Sequence, residues 1–231
     1  MGTAQGSVAV ARAGTRSSAV TVAGLVIAFG WPVLLWVPAI STHQITSRHD
    51  DLVGIALKWI VVAVLAAIAF GVQRYRPSEL GLRRFSWVDG LVGFGGFVLT
   101  MMLTGIVSQA VRMPSSVTQL GKIGELSLGL RVAVVCSAAV CEEFVFRGFG
   151  IEELASLVGN RWVAGALSLL LFAMAHVGLY GLTAALLIPF LAGAVLTALY
   201  LWRRNLGACI LTHLLVDGLM LVVIPTFIHA K

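Results

Sequence analysis

Long apolar stretches, separated by short polar segments, occupy most of the chain. The hydrocarbon core of a bilayer is about 30 Å thick and an α-helix rises about 1.5 Å per residue, so a span needs about 20 apolar residues. The stretches are continuous rather than alternating, which predicts helices and not barrel strands. Seven stretches are candidate spans: Val20–Ile40, Leu52–Val72, Trp87–Val111, Leu126–Gly150, Trp162–Val177, Leu182–Trp202 and Leu206–Ile228.

This pattern predicts an all-α fold, a polytopic transmembrane helical bundle of about seven or eight spans. The fifth stretch is short for a span, and an additional short or re-entrant helix over Ile151–Val158 would bring the count to eight. Residues 1–19 are rich in Gly, Ala, Ser and Thr, and we expect a flexible N-terminal tail. Residues 20–231 are expected to form a single transmembrane domain.

The composition fits a membrane protein and excludes other classes. Hydrophobic residues make up 59% of the 231 residues, charged residues make up 11%, and the mean hydropathy is +0.97. A soluble domain has about 45–50% apolar residues even with glycine counted, and about 25% charged residues. A disordered chain is excluded by the same values. Three cysteines do not supply a disulfide scaffold.

The net charge of +6 indicates membrane topology rather than nucleic-acid binding. The basic residues are scattered between the apolar stretches and do not form one basic face. With the N-terminus inside, nine Lys and Arg residues fall in cytoplasmic segments and four fall outside. This excess predicts a cytoplasmic N-terminus. The expected surroundings are a lipid bilayer, with no nucleic-acid partner.

Several ionisable residues lie deep within the predicted spans. A charged side chain at mid-bilayer costs at least about 2.5–3.5 kcal/mol, so such residues indicate a functional site by default. Lys58 and Arg131 lie nearer to span ends and are expected to extend toward the interface. The deep set consists of Glu142, Glu143, Arg147, His176, His213 and Asp217.

The deep residues have helical spacing. Glu143 and Arg147 are four residues apart, so they share a helix face and can form an ion pair. Glu142 lies about 100° around the helix and can face a cavity while Glu143 stays with Arg147. The same four-residue spacing joins Phe172 to His176 and His213 to Asp217.

Counting along the helices places four of these residues at a similar depth. The distance from inner-edge charged residues is about 13–22 Å for Glu142, His176, His213 and Asp217, a band of about two helical turns. Taken singly, each pair has a structural explanation, such as an ion pair or an interhelical clamp. Their common depth favours one site with two carboxylates and two imidazoles.

Three short motifs now give a family resemblance. Residues 142–147 match EExxxR, residues 172–176 match FxxxH, and residues 213–217 match HxxxN/D. In this order, on successive membrane helices, they resemble the motifs of the CAAX-protease and bacteriocin-processing (CPBP) family of intramembrane endopeptidases, also called the ABI family. The resemblance covers roughly residues 126–220 and implies that this segment is the catalytic core.

The resemblance implies a hydrolase that cleaves peptide bonds within the membrane. Glu142 would activate water with the assistance of His176. His213 and the residue at position 217 would polarise the scissile carbonyl and stabilise its oxyanion. The residues implied to shape the site are Glu143, Arg147 and Phe172.

Position 217 departs from many members of the family, which have Asn there. An ionised Asp only accepts hydrogen bonds, so Asp217 cannot stabilise an oxyanion directly. It can instead orient His213 as the donor. Alternatively, Glu142, His176 and His213 bind a divalent metal, since two His and one Glu form a known catalytic zinc set, with Asp217 supporting a ligand. We favour glutamate-based hydrolysis without a metal cofactor.

The expected substrate is a peptide or a membrane protein, because it must reach a site inside the bilayer. Prenylated CAAX tails are the eukaryotic type of substrate, whereas a bacterial plasma membrane favours a peptide, a bacteriocin precursor or a membrane protein. Two other functions stay open: a non-catalytic scaffold or bacteriocin-immunity protein on the same fold, and a proton-coupled transporter. The sequence does not define the oligomeric state.

Overall fold

The computed structural model describes residues 17–42, 48–111, 126–177 and 182–229. Within these residues all regular elements are helical, which confirms the predicted all-α class. The first helix begins at Ser18, inside the predicted tail, and the rest of that tail up to residue 16 lies outside the described residues.

The helices are numbered here in chain order. They are α1 (Ser18–Thr42), α2 (Arg48–Ala66), α3 (Trp87–Val111), α4 (Leu128–Glu142), α5 (Ile151–Val158), α6 (Arg161–Ala175), α7 (Leu182–Arg203), α8 (Leu206–Asp217) and α9 (Ile224–His229). Three π-helical segments extend α2, α4 and α8, over Ala67–Val72, Glu143–Gly150 and Gly218–Val223. A short 3₁₀ turn covers Pro77–Leu80.

Four described helices are long and apolar enough to cross a membrane: Leu52–Val72, Trp87–Ala110, Leu186–Arg203 and Leu206–Thr226. Two shorter apolar helices cover Ser18–Trp31 and Arg161–Ala175. The chain is therefore an integral membrane protein with several apolar helices, and the count of seven or eight spans stays a prediction. Four charged residues on α4 and its π-helical extension explain why the predicted fourth span is not among the four: Arg131, Glu142, Glu143 and Arg147.

The predicted additional helix over Ile151–Val158 exists as α5. It follows directly on the π-helical segment that ends at Gly150, and it stops at Gly159, which has a left-handed φ of 70°. Eight residues cover only about 12 Å, which is too short for a bilayer crossing. This helix therefore continues α4 and its π-helical extension as one helical segment.

Polar caps begin the helices that carry the deep residues. The Asn205 side chain accepts a hydrogen bond from the backbone of Gly207 at 2.9 Å and starts α8. The Asn160 side chain does the same for α6, accepting from Trp162 at 2.9 Å. Such caps satisfy backbone donors that have no partner within the helix. They fix where each helix starts, and so the height at which its histidine lies.

Glycines allow α3 and α8 to approach closely. A Cβ on Gly93 would lie 2.9 Å from the backbone oxygen of Ala208, and one on Gly96 would lie 2.8 Å from Thr212 Oγ1. The Thr212 hydroxyl donates to the Gly93 carbonyl at 2.8 Å. Small residues permit this kind of contact between membrane helices, and it fixes the rotation of α8.

The π-helical segment Glu143–Gly150 is buried along its whole length. In a π-helix the backbone hydrogen bonds join residues five apart and not four apart. The Phe146 carbonyl in this segment also accepts a hydrogen bond from the Ser168 hydroxyl of α6 at 2.7 Å. A Cβ on Gly148 would lie 2.9 Å from Leu206 Cδ1 and 3.1 Å from the Leu80 carbonyl oxygen. This segment is thus held against α6 and the start of α8, and π-helical turns of this kind occur frequently at functional sites.

Candidate active site

The structure brings the three motifs to one region. Glu142 is the last residue of α4, and Glu143 and Arg147 lie in the following π-helical segment. His176 is the residue at which α6 ends, and His213 lies in α8. Asp217 is the last residue of α8 and Phe172 lies one turn before His176.

Glu143 connects the first motif to the third. Its Oε1 accepts from Arg147 Nη1 at 2.9 Å and lies 2.8 Å from His213 Nδ1. Arg147 also donates to the Gly193 carbonyl of α7 at 3.2 Å, and its guanidinium lies 4.3 Å from the Phe172 ring centroid. The Glu143 and Arg147 side chains are 0% and 1% exposed, so this pair is a buried part of the site's frame.

His213 lies between two carboxylates. Its Nδ1 faces Glu143 at 2.8 Å and its Nε2 faces Asp217 Oδ2 at 3.3 Å. Only a protonated imidazole can donate to both at once. His213 is therefore arranged as a hydrogen-bond donor and not as a base.

Glu142 points away from this pair, toward α2 and α6. Its Oε1 binds Lys58 Nζ at 2.6 Å, and its Oε2 lies 3.8 Å from His176 Nε2. The Glu142 side chain is 10% exposed and that of Lys58 is 21% exposed. The two neighbouring glutamates thus belong to separate charge clusters, which agrees with the predicted separation around the helix.

The backbone fixes the tautomer of His176. Its Nδ1 lies 2.8 Å from the Phe172 carbonyl oxygen, which can only accept, so Nδ1 carries a proton. In the neutral ring, Nε2 then presents its lone pair toward Glu142. The Phe172 ring packs on this imidazole with a centroid distance of 4.5 Å and lies 6.5 Å from the His213 ring. Phe172 therefore separates and supports the two histidines.

The proposed metal ligands do not form a ligand set as arranged here. Lys58 occupies Glu142 Oε1, and both nitrogens of His213 face carboxylates. Within the part of the chain that the structure describes, no group of three His, Cys, Asp or Glu side chains could hold a metal ion. The donor arrangement thus does not fit zinc held by Glu142, His176 and His213.

Sequence reasoning misplaced two basic residues. The Lys58 ammonium binds Glu142 instead of extending to the interface. Arg131 is 7% exposed and donates to the Val222 carbonyl at 3.3 Å, so it too is buried within the protein. One signal was available for Lys58, because a single charge in the otherwise apolar stretch Leu52–Val72 needs a partner.

The structure thus places buried acids and histidines together on the apolar helices of a membrane protein. Residues 124–219 match the family model of the type II CAAX prenyl endopeptidases, described as Rce1-like. This confirms the resemblance to the CAAX-protease family over that segment, which contains all three motifs, and the matched family is one of proteases. Comparisons with curated proteins and with solved structures found no match.

Proposed function

We propose that the protein is an intramembrane endopeptidase in which Glu142 activates water with the help of His176. The observation that carries this proposal is the 3.8 Å gap between Glu142 Oε2 and His176 Nε2. The gap is too long for a direct hydrogen bond, and a water beside it can reach both atoms.

Both groups that border the gap are acceptors. A water held there donates one proton to the carboxylate and one to the imidazole nitrogen, which leaves its oxygen lone pairs free to attack a carbonyl carbon. Glu142 takes one proton of the water as general base and then gives that proton to the leaving amine nitrogen, while His176 accepts the other hydrogen bond of the water and orients its attack. The cleavage needs no covalent intermediate with the enzyme.

His213 is the candidate donor to the developing oxyanion. Its Nδ1 is held by Glu143 at 2.8 Å, so the opposite Nε2–H has a fixed direction. The contact from Nε2 to Asp217 is 3.3 Å, longer than a strong charge-assisted hydrogen bond. Asp217 would therefore orient His213 in the free enzyme, and the oxyanion would replace Asp217 as the acceptor for Nε2–H during the reaction. A donor oriented in this way stabilises the transition state by several kcal/mol.

The proposed substrate is a peptide segment of a membrane-associated protein, either prenylated at a CAAX tail or unmodified. The proposed location is a bacterial plasma membrane with a cytoplasmic N-terminus, since the basic residues favour that orientation. Catalysis is proposed to proceed without a metal. We propose that three buried side chains keep the two histidines and Glu142 in their relative positions: Glu143, Arg147 and Phe172.

The test is a cleavage assay with purified protein in liposomes and two probes, a farnesylated peptide ending in Cys-aliphatic-aliphatic-X and an unmodified transmembrane peptide. Products are identified by mass spectrometry. Glu142→Gln should reduce cleavage by about 10³-fold or more, because an amide cannot accept the proton. Cys141→Ser is the matched control at the adjacent buried thiol, and it should retain activity.

Identical product patterns from the wild type and Glu142→Gln would contradict the protease proposal and favour a non-catalytic scaffold. Loss of cleavage in Cys141→Ser with retention in Glu142→Gln would replace the carboxylate with a thiol mechanism. Both variants must elute as the wild type does in size-exclusion chromatography, so that unfolding does not explain a loss.

A further inference from the structure

Lys58 is a charged residue outside the segment that matches the family model. It comes from α2, which contributes no motif, and its ammonium lies 2.6 Å from Glu142 Oε1 across a separation of 84 residues. It is the single charged residue between positions 52 and 72 of the sequence. An unpaired ammonium in such an apolar stretch carries a high cost, so the contact with Glu142 accounts for its presence.

We propose that Lys58 is a positioning residue that keeps Glu142 ionised and turns its second oxygen toward His176. This inference rests on the proposed role of Glu142 as the base. The ammonium binds Oε1, and this contact leaves Oε2 as the oxygen that faces His176 Nε2. Of the two carboxylate oxygens, Oε2 is the one that can take a proton from water.

A buried carboxylate without a cationic partner becomes neutral by taking up a proton. A protonated carboxyl group cannot serve as a base. The titratable groups that act electrostatically on the Glu142 carboxylate are Lys58 from α2, His176 at the end of α6 and His213 from α8. His213 is already shared by Glu143 and Asp217, and His176 keeps its lone pair toward Glu142. Lys58 is therefore the cation that holds the charge on Glu142.

In an alternative role, the contact between Lys58 and Glu142 inhibits the enzyme. If the ammonium only blocked the carboxylate, it would have to leave before each turnover, and its removal would increase activity. The two roles predict opposite signs for the effect of a Lys58 variant on kcat/KM at neutral pH. They can therefore be separated without knowledge of the natural substrate.

A neighbouring contact supplies the matched control. Trp59 Nε1 donates to the Ser137 hydroxyl at 3.1 Å, so it joins the same two helices, α2 and α4, beside the Lys58 contact. Trp59→Phe removes that hydrogen bond and leaves the charge on Lys58. The Trp59→Phe variant therefore measures the effect on activity of losing a contact between α2 and α4 without any change of charge.

The first measurement needs no substrate. Infrared spectra of the protein in detergent are recorded against pH, and the protonated-carboxyl band of Glu142 is identified by its loss in Glu142→Gln. In Lys58→Met the midpoint of that band should move upward by about 1–3 pH units, the effect of losing an opposite charge at this distance. Lys58→Arg should restore the wild-type midpoint, and Trp59→Phe should leave it unchanged.

The second measurement is kcat/KM against pH for the same variants and the two peptide probes. Lys58→Met should lower kcat/KM at pH 7 by about tenfold or more and shift the acid limb upward, with recovery at high pH. Lys58→Arg should recover most of the activity. Lys58→Gln is the replacement if the methionine variant does not fold.

An unchanged carboxyl midpoint in Lys58→Met, or a rise in its kcat/KM, would overturn the proposal. The proposal would also be overturned if Trp59→Phe and Lys58→Met lost the same amount of activity and the acid limb of the kcat/KM profile did not shift. Lys58 would then contribute only to the packing of α2 against α4. If the wild type cleaves neither peptide, the protease proposal fails, whereas the infrared titration still decides the role of Lys58.

Discussion

His213 Nδ1 lies 2.8 Å from Glu143 Oε1, although the two residues are 70 positions apart in the chain. This contact joins α8 to the π-helical segment after α4, and so joins the third motif to the first. Glu143 Oε1 also receives Arg147 at 2.9 Å. One buried carboxylate oxygen therefore binds the Arg147 guanidinium and also orients the imidazole of His213, the proposed oxyanion donor.

The buried Glu143–Arg147 pair should be sensitive to the loss of one partner. Arg147→Met leaves a carboxylate at 0% exposure without its guanidinium, and breaking such a pair costs about 3–5 kcal/mol. We expect a large fall in the apparent melting temperature in detergent. The double variant Glu143→Gln/Arg147→Met should regain much of that stability, because the uncompensated charge is gone, yet stay less active than the wild type, because a neutral amide holds a protonated His213 more weakly than a carboxylate does.

The control for this stability prediction is Arg161→Gln. Arg161 contacts Glu152 at 2.7 Å, but its side chain is 49% exposed. An exposed ion pair contributes about 0–1 kcal/mol. If Arg161→Gln lowers the melting temperature as much as Arg147→Met does, burial does not determine the sensitivity of these pairs.

Asp217 should be replaceable by asparagine but not by leucine. Its contact with His213 Nε2 is 3.3 Å, and an asparagine carbonyl can accept the same hydrogen bond. We expect Asp217→Asn to keep kcat/KM within about tenfold of the wild type, whereas Asp217→Leu leaves the imidazole without an orienting partner and loses about 10²-fold. Steady-state kinetics with the two peptide probes measures both, and equal losses would show that orientation is not the role of Asp217.

Chelators should not abolish cleavage. Lys58 occupies one oxygen of Glu142, and both nitrogens of His213 face carboxylates, so the three side chains do not share a ligand position. We expect unchanged rates after treatment with 1,10-phenanthroline. Metal content of protein purified without chelator is measured in parallel, and stoichiometric zinc whose removal abolishes activity would refute the metal-independent mechanism.

Gly193 should tolerate no side chain. A Cβ there would lie 2.8 Å from both Phe172 Cδ1 and Leu169 Cδ1. The Phe172 ring cannot move freely, because Arg147 lies 4.3 Å from its centroid. We expect Gly193→Ala to lower stability by about 1–3 kcal/mol, the usual cost of overpacking, and to reduce activity by displacing the ring that supports both histidines.

Gly95→Ala is the matched substitution, since a Cβ at Gly95 meets nothing within 4 Å. Alanine also has a better helix propensity than glycine, by about 1 kcal/mol. Melting temperatures in detergent should therefore be equal or higher for Gly95→Ala and lower for Gly193→Ala. A similar fall in both would indicate a general intolerance of helix substitutions.

The helical class and the local side-chain pairs follow from the amino-acid sequence alone. Continuous apolar stretches require helices in a membrane, since backbone groups must be satisfied within the segment. Glu143 with Arg147 and His213 with Asp217 follow from the four-residue spacing, and both pairs are in contact. Helix geometry alone fixes such neighbours, so no tertiary information was needed for them.

Which helices meet, and at which faces, depends on packing in the folded protein. The contact from Lys58 to Glu142 joins residues 84 positions apart, and no local spacing encodes it. Depth counted along straight helices did not assign Lys58 to the site, because the rotation and tilt of each helix depend on side-chain packing. The close approach of α3 to α8 at Gly93 and Thr212 illustrates this: hydrogen bonding and the space left by a missing side chain set the orientation of the helix that carries His213.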